Sequence, residues 1–265
     1  MLEPLPRPAR VLTQGKRAWQ HEGPATMWST MTTAASSGRQ RASRGARAGK
    51  ARLDRDTIIA AGLELAAAPG ASTISVRELG VRLGADPTAI YRHFRSKEHL
   101  MEALLDELIE RSVAAVTAEP AEWRERLREL AASTLDLFAG HPAVGVEAIV
   151  LTTHGPGELD AVELMLDAFS RAGLTGDDLV RHYALYASHV LSSAAGIARG
   201  RSERGGTAGD PSPWFEGPLL ADPRRYPLIA SVTTSLTDLQ DRDLYLLGVE
   251  LVIQSAERTG AESAQ

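Results

Sequence analysis

The chain has 265 residues, 43% of them hydrophobic and 24% charged, which is enough apolar material for a real core in one large or two smaller domains. The formal net charge is -5 and there is no cysteine, so disulfides, thiolate catalysis and cysteine-held metals are excluded. No apolar run approaches the roughly 18 residues that span a bilayer, and the start lacks the apolar core of a secretory signal. A cytoplasmic protein without membrane contact is therefore expected.

The average charge hides an asymmetry. Residues 1–50 carry Arg7, Arg10, Lys16, Arg17, Arg39, Arg41, Arg44, Arg47 and Lys50 against Glu3 and Glu22, whereas the chain beyond Ser112 is acidic. A basic front on an acidic body suggests a local contact with a polyanion, and equally describes a solvated tail. The same fifty residues are rich in Pro, Ser, Gly, Ala and Arg with no helical or strand period, so a disordered basic extension is expected. Met27 and Met31 offer alternative starts.

Order is expected from about residue 51. Ile58, Ile59, Leu63, Leu65 and Ala66 recur at helical spacing, behind Asp54 and Asp56 at the positive end of the helix and ahead of the stop Pro69-Gly70. Ser75-Val-Arg-Glu78 is a capping box for a short helix from Val76 to about Leu83, which Gly84 ends. Asp86-Pro87 opens a helix from Thr88 to about Phe94. Ser96-Lys-Glu-His99 opens the next, Lys97 to about Val116, striped by Leu100, Leu104, Leu105, Leu108 and Ile109. Further helices are expected near 121–139, 143–151, 157–172, 177–199, 226–236 and 240–259, with a long Gly/Pro-rich loop over 200–223. No strand pattern or internal repeat is visible.

Two short helices joined by Leu83-Gly84-Ala85-Asp86 make a helix-turn-helix, whose second helix enters the major groove of DNA. Pro87, Thr88, Tyr91 and Arg92 are its exposed positions, while Ile90 and Phe94 face inward with Leu79 and Leu83. Arg92 suits a phosphate or a guanine, Thr88 and Tyr91 suit phosphate oxygens, and Pro87 and Ala89 suit a thymine methyl. Ser75 and Arg77 are placed for the opposite backbone wall, and Lys97 stands at a helix N-terminus where phosphate is favoured. The lesser alternative is that Tyr91 packs and that His93 caps or packs within the small domain.

Ser75 to Leu100, with Ile90-Tyr-Arg-His-Phe94 followed by Ser96-Lys-Glu98, resembles the DNA-binding domain of the TetR family of bacterial repressors. The resemblance implies backbone contacts from Tyr91, His93 and Lys97. It departs at Asp86-Pro87, where many members carry serine and a basic or small residue, which leaves base preference open. The implied architecture is all-α: a three-helix DNA-binding domain over 51–100 and a larger helical ligand-binding and dimerisation domain over 101–260. The implied protein is a repressor that binds a palindromic operator as a homodimer and leaves it when a small-molecule effector binds. The arginines of 39–50 would add minor-groove or backbone contacts.

The helices near 177–199 and 240–259 are expected to supply the dimer, through the stripes Leu179, Tyr183, Tyr186, Val190, Leu191, Ala194, Ile197 and Leu244, Leu247, Leu251, Ser255. Trp123, Leu127, Phe138, Leu151, Met165, Phe169, Tyr183 and Tyr186 are candidate effector contacts, and would serve equally as ordinary core. The C-terminal part more weakly resembles the tetracycline repressor subgroup, in which a histidine can hold a metal–drug chelate. His141, His154, His182 and His189 are available here, but no ligand spacing is present, so neither metal nor cofactor is expected. No glycine-rich phosphate loop, nucleophile elbow or catalytic constellation appears, which argues against an enzyme.

Overall fold

Asp54, Ser75, Asp86 and Ser96 each turn a side-chain oxygen onto the first turn of a helix, and these four caps set the order of the N-terminal third. The computed structural model describes residues 53–263 apart from 69, 72, 206–211 and 216. The expectations for residues 1–50 therefore lie outside the described residues. The elements are α1 (Arg55–Ala66), α2 (Val76–Leu83), α3 (Pro87–Ile90), α4 (Lys97–Ala114), α5 (Trp123–Gly140), α6 (Pro142–Gly145), a 3-10 turn (Val146–Ile149), α7 (Pro156–Arg171), α8 (Gly176–Arg204), α9 (Pro227–Asp238) and α10 (Asp241–Ser263). Among the described residues the nearest thing to a strand is an isolated bridge between Pro213 and Gln240. None of their helices is long and apolar enough to cross a membrane.

Three expected elements differ in extent. The helix after Asp86 is a single turn: the backbone leaves it at Tyr91 because Phe94 must reach the core, where it is 1% exposed, and the Ser96 cap follows two residues later. The helix expected over 143–151 changes to a 3-10 turn at Val146. Gly145 lies against Phe138, and a Cβ there would sit 2.8 Å from the Phe138 Cβ, so the chain tightens around that ring. Conversely, α8 runs through Gly200 to Arg204 and ends at Gly205, whose φ is +66°. A glycine inside a helix costs about 1 kcal/mol, but Ile197, Ala198 and Arg201 on the same stretch are buried, and packing outweighs the cost.

The buried side chains form a continuous core from Ile58 in α1 to Ala256 in α10. Within it α4 lies along α7, α5 along α8, and α8 along α10. Two buried phenols tie the helices together: Tyr186 donates to the Leu127 carbonyl, and Tyr245 donates to the Ala131 carbonyl at 2.8 Å. Burial pushes both hydroxyls well above the usual tyrosine range, so they remain neutral donors. Across the surface of the bundle, Arg126 bridges α5 to Asp167 of α7 at 2.5 Å, and Arg128 bridges α5 to Glu250 of α10 at 2.9 Å.

Candidate nucleic-acid interface and effector cavity

Ser75 caps α2 by accepting from the Glu78 N–H at 3.4 Å, and Gly84 ends the helix in the left-handed region at φ +59°. The turn then crosses α2 closely: a Cβ on Gly80 would stand 2.8 Å from the Ala85 carbonyl oxygen. Gly80 thus permits the helix-turn-helix, a requirement that shows only when the two segments are in contact. Asp86 takes the Thr88 N–H at 2.8 Å and the Thr88 hydroxyl at 2.6 Å. Those bonds hold the Asp86 carboxyl below the usual range, so the cap is ionised at neutral pH.

This geometry turns Thr88, Tyr91 and Arg92 to solvent, with Tyr91 47% exposed. Arg77 and Lys97 are exposed as well, while Ser75, Pro87, Ala89 and His93 are half-buried. The Ser75 oxygen is occupied as a cap, which limits what it can offer another molecule. Arg95 is exposed between Arg92 and Lys97 and was not singled out by the motif; its place in the basic run 92–97 is the signal that marks it. Arg77 of α2 and Arg92, Arg95 and Lys97 of the 92–97 run form no ion pair among the described residues, so they present positive charge to solvent. Arg55 is differently engaged, stacked over the Phe94 ring at 4.7 Å.

A cavity of about 70 Å³ lies deeper, between α4, α5, α7 and α8. Of the sequence candidates, Met165, Tyr183 and Tyr186 line it. Trp123, Leu127, Phe138 and Phe169 are buried elsewhere in the core, and Leu151 is half-buried outside the lining. Phe169 stands edge-on to Tyr186 with ring centres 5.9 Å apart. Thr134 and Glu158 are the polar residues that pattern reading missed in the wall. A second, open cleft of about 920 Å³ lies between α8, α10 and the 213–214 segment, and includes His189, Arg204, Trp214 and Tyr245.

Three of the four histidines in this part of the chain spend ring nitrogens on protein groups. His141 meets the Leu137 carbonyl, His182 the Asp178 carbonyl and Ser255, and His189 the Tyr245 carbonyl. His154 is exposed on a backbone with φ +54°. Among the described residues no three His, Asp or Glu side chains converge as metal ligands.

Residues 58–104 match the model of bacterial regulatory proteins of the tetR family, and residues 117–258 match that of the tetracyclin repressor-like C-terminal domain. The chain is 28% identical to the HTH-type transcriptional repressor Rv1353c of Mycobacterium tuberculosis over 234 residues, covering 86% of this chain and 87% of that protein. It is 27% identical to the HTH-type transcriptional repressor DrrR1 of Streptomyces coeruleorubidus, covering 81% of each. Its fold is similar to that of the TetR family protein ActR of Streptomyces coelicolor in complex with actinorhodin, with a TM-score of 0.64 and 21% identity, covering 79% of this chain and 99% of that one.

Proposed function

From the chain's membership of the TetR family of bacterial regulatory proteins, which makes it a transcriptional regulator rather than an enzyme, we propose that it is a repressor that binds a palindromic operator as a homodimer and is released by a small molecule. Residues 51–100 read the DNA, and residues 101–260 bind the effector and the second chain. The observation that carries this reading is the exposed set Arg77, Arg92, Arg95 and Lys97, without ion pairs among the described residues, around a one-turn α3 whose Thr88 and Tyr91 face solvent. Such a set suits phosphates on both sides of a groove.

The second chain is inferred from faces that one chain leaves bare. Tyr186, Val190, Ala194 and Ile197 of the expected stripe turn into the chain's own core. Outward on α8 are Val180 and Leu185, 59% and 54% exposed, with the small residues Ser188, Ser192 and Gly196. On α10, Leu247 and Leu251 are 54% and 56% exposed. The helix α9 buries none of its residues, although Leu228 and Val232 are apolar. Large exposed apolar faces of this kind mark association surfaces. Replacing both Leu247 and Leu251 with glutamate is expected to leave the chain folded but to halve its mass in sedimentation at micromolar concentration. An unchanged mass of two chains would remove α10 from the interface.

The effector is assigned to the cavity bounded by α7 and α8, whose walls are apolar with Thr134, Glu158 and the tyrosines as polar points. Binding there shifts α4, the helix that begins at Lys97 and continues into the body. An effector with differential affinity of a few kcal/mol for the two states suffices to release DNA. The test is selection of bound sequences from random duplex DNA by the full chain, beside a variant with Tyr91→Ala and Lys97→Ala. An enriched palindrome lost in the variant supports the reading, whereas a folded protein that enriches nothing rejects it.

A further inference from the structure

We infer that Asp106 is the positioning residue through which occupancy of the α7–α8 cavity reaches the DNA-reading end of α4; this rests on the reading above that a molecule in that cavity releases DNA. Asp106 sits in the middle of α4 and is only 8% exposed. Among the described residues no Lys, Arg or His pairs with it. Its carboxylate is spent instead on α7. Oδ2 accepts from the Gly157 N–H at 3.2 Å, and Oδ1 accepts from the Glu158 N–H at 3.0 Å and the Thr153 hydroxyl at 2.7 Å.

These are first-turn N–H groups of α7, which have no partner inside their own helix. A buried carboxylate on them makes charge-assisted bonds, aligned with the positive end of the helix dipole. Nothing intervenes. A Cβ on Gly155 would lie 2.2 Å from Asp106 Oδ2, and one on Gly157 would lie 2.4 Å from the Asp106 carbonyl oxygen. Gly155-Pro-Gly157 therefore brings the start of α7 to the carboxylate and to the backbone of α4.

The same turn of α7 belongs to the cavity. Glu158, whose N–H grips Asp106 and whose carboxylate accepts from the Thr153 hydroxyl and the His154 N–H, is also a lining residue of the cavity, and Ala161, Val162 and Met165 continue that wall. On the other side, Leu104 of α4 presses on Gly62 of α1, where a Cβ would be 2.8 Å from its Cδ2. Cavity wall, Asp106, α4 and α1 are thus successive links in direct contact. A drug-sized effector needs a site of several hundred Å³, well above the about 70 Å³ present here, and on this inference it makes room by parting α7 from α8. If apolar packing alone joined α7 to α4, α7 would slide across it. The three bonds to Asp106 make α4 follow.

The test needs no knowledge of the effector. Ala187 lines the cavity from α8, and Ala187→Leu adds three carbons in place of a ligand. Affinity for the enriched duplex is measured for the full chain with Ala187→Leu, Asp106→Asn, Thr153→Val and the two combinations with Ala187→Leu. Asparagine cannot offer both N–H groups an oxygen, and valine removes the hydroxyl while keeping its shape. The expected result is that Ala187→Leu alone weakens DNA binding at least about tenfold, within the range of allosteric couplings. Beside Asp106→Asn it weakens binding less than about threefold, with Thr153→Val in between. A merely structural role for Asp106 would lower the melting temperature without this non-additivity. Should Asp106→Asn fail to fold, the Thr153→Val pair decides. Equal weakening in every background, or none in the wild type, overturns the inference while the regulator reading stands. A wild-type chain that binds no duplex overturns both.

Discussion

Replacing Tyr91 and Lys97 together with alanine is expected to weaken binding to the enriched duplex by roughly ten-thousandfold while leaving the melting temperature within a few degrees. Neither side chain holds the fold: Tyr91 is 47% exposed, and Lys97 is exposed with no ion pair among the described residues. On the proposed reading each donates to a phosphate, and losing one charge-assisted contact weakens binding by about tenfold. A two-fold dimer loses every contact twice, so four are removed. The salt dependence separates this from unfolding. Each lysine withdrawn from a phosphate releases one counterion fewer, so the slope of log affinity against log salt should flatten by about 2. Unchanged affinity would mean that this face of the helix-turn-helix is not the one DNA meets. Lost affinity with an unchanged slope would point to a general distortion.

A large effect on stability is expected at Gly157, where alanine should cost about 3 kcal/mol or more. An added Cβ would stand 2.4 Å from the Asp106 carbonyl oxygen and 2.9 Å from the Glu110 nitrogen. Both are backbone atoms in the interior of α4, so no side chain can turn away. Relief requires α7 to lift from α4, which opens the core around Leu108 and Ala161 and breaks the bonds to Asp106. For a folded unit of this size the loss corresponds to a fall of roughly 6–12 °C in Tm. Gly140→Ala at the end of α5 is the matched control, because nothing lies within 4 Å of its missing Cβ and alanine is the better helix former. A Tm for Gly157→Ala equal to that of the control would mean that α4 and α7 do not approach as closely as described.

The elements were legible where local chemistry decides them. Ser75 with Glu78, Asp86 with Pro87, and Ser96 mark three helix starts in four-residue windows, and each caps the helix it announces. Elements set by distant packing were less legible. Gly200 reads as a stop, yet the burial of Ala198 and Arg201 carries α8 past it. The single turn of α3 depends on where Phe94 is drawn, and the 3-10 turn at Val146 depends on Phe138.

The two halves of the candidate site differ in the same way. A reading helix is one short segment with its own signature, so Tyr91, Arg92 and Lys97 were named from sequence. A cavity is a gap between four helices, and apolar periodicity cannot tell its wall from solid core. Met165 and Tyr186 line the gap, while Phe138 and Phe169 carry the same pattern in the packed interior. Glu158 and Thr134 had no signal at all, because their role comes from what faces them across α5, α7 and α8. Gly80, Gly155 and Gly157 likewise acquire meaning only from the carbonyl or carboxylate opposite each of them.

The central claim is that two copies of this chain read one palindrome. Its most direct test is titration of the enriched duplex, and of the same duplex cut to a single half-site, with the mass of each complex recorded. The account predicts two chains per full site, half-sites centred about one helical turn apart, and a loss of at least about a hundredfold in affinity on the half-site. One chain per duplex, or equal affinity for both, would contradict it.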